Sequence, residues 1–228
     1  GIIMIRSAIV LLSLAISLSA TIINVPADQT TIQAGIDAAV DGDTVLVQPG
    51  IYSGTVYVED KDIILTGAAG PISTIITSST FIVNNTNSQI SGFTLEDSFR
   101  GFLIGTSTSA SPVLKDIIMR NIDQEALAVG DGVTLTVVNT VIDSARFGCL
   151  VRGGSGRFIN CTFTNITDYA LTNEYLASVL IFNSIFWDNG NSIYFNSMDS
   201  VTVYNSLIAD GWSGPGGSNL VNDPVFIN

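Results

Sequence analysis

Histidine is absent from the chain of 228 residues. That gap removes the His-based catalytic triad, the imidazole general base and any zinc site built on His ligands. Cations are scarce. Eight Lys plus Arg stand against 20 Asp plus Glu, giving a net charge of −12 and a pI near 4.1. No basic face can be assembled to follow a phosphate backbone, so no nucleic-acid partner is expected. Two cysteines support neither a disulfide framework nor a four-cysteine metal site. Charged residues reach only 12%, yet 46% of residues are hydrophobic and the mean hydropathy is +0.47. Such a chain folds around a core and is not disordered.

The amino terminus has the pattern of a targeting segment. Met4-Ile5-Arg6 places one positive charge ahead of the apolar run Ala8 to Leu18, and the small residues Ser17, Ser19 and Ala20 follow. Residues 1–20 read as a secretory signal peptide cleaved after Ser19 or Ala20, with Gly1 to Ile3 upstream of the true start. The run is shorter than the roughly 20 residues that span a bilayer. A secreted or cell-surface location is therefore expected, with membrane contact only through this segment if it is retained. Retention as an ordered helix in a filament or structural subunit is the competing reading.

Self-similarity is the main signal. Six segments align: Ile90-Ser-Gly92-Phe-Thr-Leu, Leu114-Lys-Asp116-Ile-Ile-Met, Val137-Val-Asn139-Thr-Val-Ile, Phe158-Ile-Asn160-Cys-Thr-Phe, Ile181-Phe-Asn183-Ser-Ile-Phe and Val203-Tyr-Asn205-Ser-Leu-Ile. The aligned Gly, Asp or Asn recurs at intervals of 24, 23, 21, 23 and 22 residues. These residue types tolerate left-handed backbone, so each marks a sharp corner between two short strands. A leucine-rich repeat needs regular leucines that are missing, and a propeller blade needs more residues. A parallel β-solenoid remains, its coils stacked at about 4.8 Å. Asn139, Asn160, Asn183 and Asn205 should form a ladder along one corner. Residues one and three beyond each corner, such as Phe93 and Leu95 or Cys161 and Phe163, should point inward. Cys149 and Cys161 lie 12 residues apart, out of phase with the repeat, and are expected to be free and buried. Thr30-Thr-Ile-Gln33 reads as a capping box opening one amphipathic helix over 31–40 that covers the first coil.

Val25-Pro-Ala-Asp-Gln-Thr-Thr-Ile-Gln33 and Ala38-Ala-Val-Asp-Gly-Asp-Thr-Val-Leu-Val-Gln-Pro-Gly-Ile-Tyr52 resemble the opening of secreted right-handed parallel β-helix proteins of the pectate-lyase-like superfamily. Asn183-Ser-Ile-Phe-Trp-Asp-Asn189 and Asn222-Asp-Pro-Val-Phe226 are similar to that group's final coils. The resemblance implies an all-β, right-handed parallel β-helix over 21–228 with a short helical cap, continuing beyond Asn228. It implies no single activity, because the superfamily holds lyases, hydrolases, epimerases and adhesins.

Acidic residues recur after the corners at Asp97, Asp123, Asp143, Asp168, Asp188 and Asp210. Arg100, Arg120 and Arg146 each lie three residues from one of the first three. Asp168, Asp188 and Asp210 have no cation near them in sequence, so that edge is a candidate Ca²⁺ site, against the plainer reading of a solvated turn edge. A lyase would pair such a Ca²⁺ with a proton-abstracting cation, for which Lys115, Arg120 and Arg146 are the candidates. Trp187 and Trp212, close to Asp188 and Asp210, are candidates for stacking on sugar rings, the alternative being aromatic cover for the core. The resulting expectation is a surface module that binds polysaccharide, cell-surface glycans or another surface. A polysaccharide lyase or hydrolase is the alternative.

Overall fold

The computed structural model describes residues 19–105, 109–196 and 198–224. The targeting segment of residues 1–20, and the filament reading that uses it, lie outside the described residues except for Ser19 and Ala20. Among those described, the chain is an all-β parallel solenoid of about eight turns with one short helix. One face is a ten-stranded sheet running from Ile22–Val25 to Gly216–Gly217. The second and third faces join into a 13-stranded sheet, because Ile118–Val129 and Val141–Arg152 continue around the bend between them.

The corners are set by left-handed residues at fixed places in each coil. Between the first and second faces lie Gly92 (φ 76°), Asp116 (53°), Asn139 (50°), Asn160 (55°), Asn183 (49°) and Asn205 (50°). The backbone N–H groups of Asn139, Asn160 and Asn183 donate to Ile159, Phe182 and Tyr204 carbonyls one coil on, at 3.0, 3.1 and 3.2 Å. Asn139 Nδ2 donates to Asp116 Oδ1 at 3.2 Å, and Asn160 Nδ2 to Asn139 Oδ1 at 3.1 Å. A second column, Asp97, Asn121, Ser144, Asn165 and Asp188, has φ between 51° and 57° and turns the chain from the second face to the third.

Inside, the pleat puts alternate residues into stacked columns. Val45, Leu65, Ile90, Leu114, Val137, Phe158, Ile181 and Val203 pair in register and are all fully buried. Phe163 and Phe186 stack at 4.5 Å and 9° in a neighbouring column. The position just past the first corner changes from Phe93 and Ile117 to Thr140, Cys161, Ser184 and Ser206, all buried. These small polar groups are tolerated because each reaches backbone. Ser184 Oγ donates to Phe182 O at 2.8 Å and accepts from Cys161 N at 3.1 Å; Ser206 Oγ donates to Tyr204 O at 2.8 Å and accepts from Ser184 N at 3.0 Å.

The helix spans Ile32–Ala38, one residue later and shorter than its pattern suggests. Its N-cap is Thr31, whose hydroxyl accepts from Ala34 N at 3.1 Å. Gln33 makes no reciprocal cap. Its Oε1 accepts from Tyr57 N at 2.7 Å, which ties the helix to the strand Val56–Glu59. Lys61 Nζ donates to Ile36 O at 2.8 Å and Ala39 O at 2.9 Å, placing a cation where the helix dipole favours one. Ile32 and Ile36 are buried against the first coil.

Two tests follow from this packing. Leucine at position 160 would keep the left-handed strain without the amide bond, so Asn160→Leu should lower urea-unfolding stability by about 1–3 kcal/mol. Ser178→Leu, on an exposed strand position, should change it by less than about 0.5 kcal/mol; equal losses would remove the corner argument. Both cysteines are free and buried. Burial pushes the Cys161 thiol up to about 11 and the Cys149 thiol up further. A raised thiol pKa means the stabilising contribution is complete below the unfolded value of about 8.5 and is lost as pH rises toward the folded value. At about pH 8 neither thiol should react with Ellman's reagent in the native protein, and both should react in urea.

Candidate functional site

On the third face the residues between the inward columns point outward. Strand register aligns Tyr57, Ile82, Leu103, Ala128, Leu150, Thr172 and Tyr194 on successive coils. Outward positions on a solvated sheet ordinarily read as polar. Here they make an apolar stripe along the solenoid axis. Over its later coils the stripe floors a cleft of 390 Å³ walled by Phe147, Tyr169 and Tyr194 and edged by Glu125, Arg152 and Glu174. A second, apolar hollow of 270 Å³ shares Leu150 and Arg152 with it and continues past Ala128 and Leu103 to Ile82. Together they form an elongated groove.

The floor of the cleft contains one polar anomaly. Thr172 is only 6% exposed, and its Oγ1 has no hydrogen-bond partner. A hydroxyl buried without a partner costs about 1–3 kcal/mol. Around it, the Tyr169 and Tyr194 rings lie 5.4 Å apart at 59°, and the Arg146 guanidinium sits 5.1 Å from the Phe147 ring centre. The charged edge is internally paired. Arg100 Nε meets Glu125 Oε2 at 2.9 Å, and Arg152 Nε meets Glu174 Oε2 at 3.2 Å.

The structure does not gather the three cationic candidates for proton abstraction. Lys115 is on the first face beside Asp116 at 3.6 Å. Arg120 is on the second face, its Nε 2.7 Å from Glu96 Oε2. Arg146 is at the second corner, and none of the three lines the cleft on the third face. Arg100, Arg120 and Arg146 pair not with Asp97, Asp123 and Asp143, three residues away, but with Glu125, Glu96 and Asp168, because these side chains reach along the axis to a neighbouring coil and not along the chain. Arg146 Nε bonds Asp168 Oδ2 at 2.9 Å, so Asp168 is not an uncompensated acid.

Asp168, Asp188 and Asp210 do not converge either. Asp188 holds a left-handed corner (φ 56°), while Asp210 Oδ2 accepts from Ser192 N at 2.8 Å. Among the described residues no group of three or more acidic or cysteine side chains is placed to hold a metal ion. The two tryptophans also part. Trp187 points outward from the second face beside Thr164. Trp212 is half-buried against the core, with its Nε1 donating to Pro215 O at 2.9 Å and its ring 5.5 Å from Phe195. For Trp212 the core-cover reading describes the geometry.

The residues that do converge, Phe147, Tyr169, Thr172 and Tyr194, were not picked out by sequence. A legible signal existed: Ile82, Leu103, Ala128, Leu150, Thr172 and Tyr194 recur every 21–25 residues, out of phase with the core columns.

No protein-family model matches the chain, and no curated protein matches it. Among solved structures, it is similar to one described as "a new PL6 alginate lyase complex with trisaccharide", at 13% identity and a TM-score of 0.23. The match covers 91% of this chain and 61% of that one, so this chain spans about three-fifths of that structure's length. At that degree of likeness the chemistry has to be read from the side chains themselves.

If Thr172 Oγ1 is held without a partner, replacing the hydroxyl by a methyl of the same shape relieves the burial cost. Thr172→Val should raise urea-unfolding stability by about 1 kcal/mol. A loss of stability would mean that the hydroxyl is satisfied and that the cleft floor is ordinary core.

Proposed function

We propose that the chain is an extracellular or cell-surface carbohydrate-binding module that holds a saccharide chain along the third face of the solenoid without cleaving it. The observation that carries this reading is an open cleft whose walls carry the neighbouring rings of Tyr169 and Tyr194. Sugar rings offer apolar C–H faces to aromatic side chains and hydroxyls to polar ones, and the cleft sets Glu125, Arg152 and Glu174 beside its tyrosines. The groove's length suits a chain of rings better than a single one. The cellular side of the proposal rests on the charged-then-apolar amino-terminal sequence.

Binding is favoured over hydrolysis by the placement of the two acids. Glu125 pairs in register with Phe147 and then Tyr169, two coils on, and Glu174 is five residues along that strand. At about 4.8 Å per coil and 3.3 Å per residue the two backbones are about 19 Å apart. Glycosidases hold their carboxyl pair about 5–9.5 Å apart. Elimination is disfavoured as well, because Arg152, the cation lining the cleft, would have to leave Glu174 before it could take a proton.

The test is calorimetric titration of a panel of neutral and acidic hexasaccharides, with reducing ends assayed in parallel. Binding of at least one without release of reducing ends or unsaturated product is expected. Tyr169→Ala and Tyr194→Ala should each weaken it about tenfold, or 1.4 kcal/mol. Unchanged affinity in both variants, or turnover by the wild type, would refute the proposal.

A further inference from the structure

The electrostatics of the cleft specify the class of saccharide, an inference that rests on the carbohydrate-binding reading above. We infer that the groove takes a neutral polysaccharide and discriminates against polyuronates. Four charges surround the tyrosine pair, and they cancel: Glu125 with Arg100 at 2.9 Å and Glu174 with Arg152 at 3.2 Å. The partners are unequally placed. The carboxylates are 17% and 29% exposed, whereas their arginines are 42% and 56% exposed. The acids are therefore more shielded from solvent than the cations that pair with them.

A uronate ring seated on Tyr169 and Tyr194 would bring its carboxylate down toward the acids. To gain a cation it would have to take Arg152 from Glu174, which would leave a half-buried carboxylate unpaired. Like charges brought together at a site disfavour binding, and an ion pair broken by loss of one partner is costly for the one left behind. Beyond the cleft the field is of the same sign, since the chain carries −12 overall. A polyanion is repelled before it arrives, the more so at low salt. A neutral sugar meets none of these terms. Its hydroxyls can bond the second oxygen of Glu125 or Glu174 at the cleft's edge without displacing an arginine.

The adjoining hollow points the same way. It is lined by Ile82, Leu103, Ile104, Ala128 and Leu150, and its charged wall residue among the described residues is the Arg152 already bound to Glu174. A chain running from one hollow into the other would cross about three coils of uncharged sheet, or roughly 15 Å. A polyuronate spanning that distance would present several carboxylates to a surface whose lining, among the described residues, holds no cation but Arg152.

The experiment uses the full chain and three sets of probes: neutral β-1,4-linked gluco-, manno-, xylo- and galacto-hexasaccharides, the galacturonic, mannuronic and guluronic hexamers, and the glucosamine hexamer. At about 20 mM NaCl the best neutral probe should bind at least about tenfold more tightly than any uronate. Its affinity should change less than about twofold when NaCl is raised to about 500 mM. In the double variant Glu125→Gln and Glu174→Gln, which frees both arginines, uronate affinity should rise about tenfold or more.

A uronate that binds the wild type most tightly, weakens with salt and is lost in Tyr169→Ala would overturn the class while leaving carbohydrate binding intact. Tightest binding by the glucosamine hexamer would overturn it equally. An unchanged uronate affinity in the double variant would remove the electrostatic account. If no probe of any charge binds, the carbohydrate reading itself is lost and this inference with it.

Discussion

Each coil of this chain hydrogen-bonds to the coils before and after it, and parallel in-register pairing is the constraint on which everything else depends. A strand in such a stack has no freedom to choose its partner residue. Once Val137 lies opposite Leu114, Phe158 must lie opposite Val137, and the register propagates to the corners and to both surfaces. Corners must recur at one place in each coil, because a corner displaced by one residue would reverse every later side chain from inside to outside. The requirement selects residues that accept positive φ. Gly92, Asp116 and the four asparagines at 139, 160, 183 and 205 meet it, and two of the asparagine amides add a bond along the axis.

The same constraint separates the protein's two kinds of position. Inward columns must be filled, and they are filled mainly with aliphatic and aromatic residues, joined past the first corner by small polar groups such as Ser184 and Ser206 that bond to backbone. Outward columns are free, since any side chain can project from a sheet face without disturbing the ladder. The apolar stripe from Tyr57 to Tyr194 therefore has no explanation in the solenoid itself. It is the part of the third face that stability does not require. Residues that a fold neither needs nor favours are where a binding role is best sought.

Much of the fold was legible in sequence for a physical reason. A corner imposes a backbone conformation that few residue types accept, and repetition multiplies that weak preference until it stands out. Burial of Phe93, Leu95, Cys161 and Phe163 followed from the corner position and a period of two. The cap was placed one residue early because Thr30 and Thr31 are chemically alike, and only the packing of Ile32 and Ile36 on the first coil decides which hydroxyl caps. The site was much less legible. The corner rule fixes where outward columns run and leaves their chemistry open.

The ion pairs show most clearly why sequence proximity misleads in this architecture. Arg146 lies three residues from Asp143, a spacing that brings charges together on a helix. On a solenoid three residues extend about 10 Å along the strand, whereas one coil is only about 4.8 Å. Arg100, Arg120, Arg146 and Arg152 accordingly pair with Glu125, Glu96, Asp168 and Glu174, which lie 25, 24, 22 and 22 residues away. Lys115 alone, among the described cations in ion pairs, uses its chain neighbour. The axial pairing also gives Asp168 a cationic partner that its sequence neighbours do not supply. What remains of the acidic excess is spread over the surface, so the whole molecule repels anions while its cleft is locally neutral. The selectivity proposed for uncharged saccharides would then need no dedicated residue, because it would arise from where the coil repeat places the arginines.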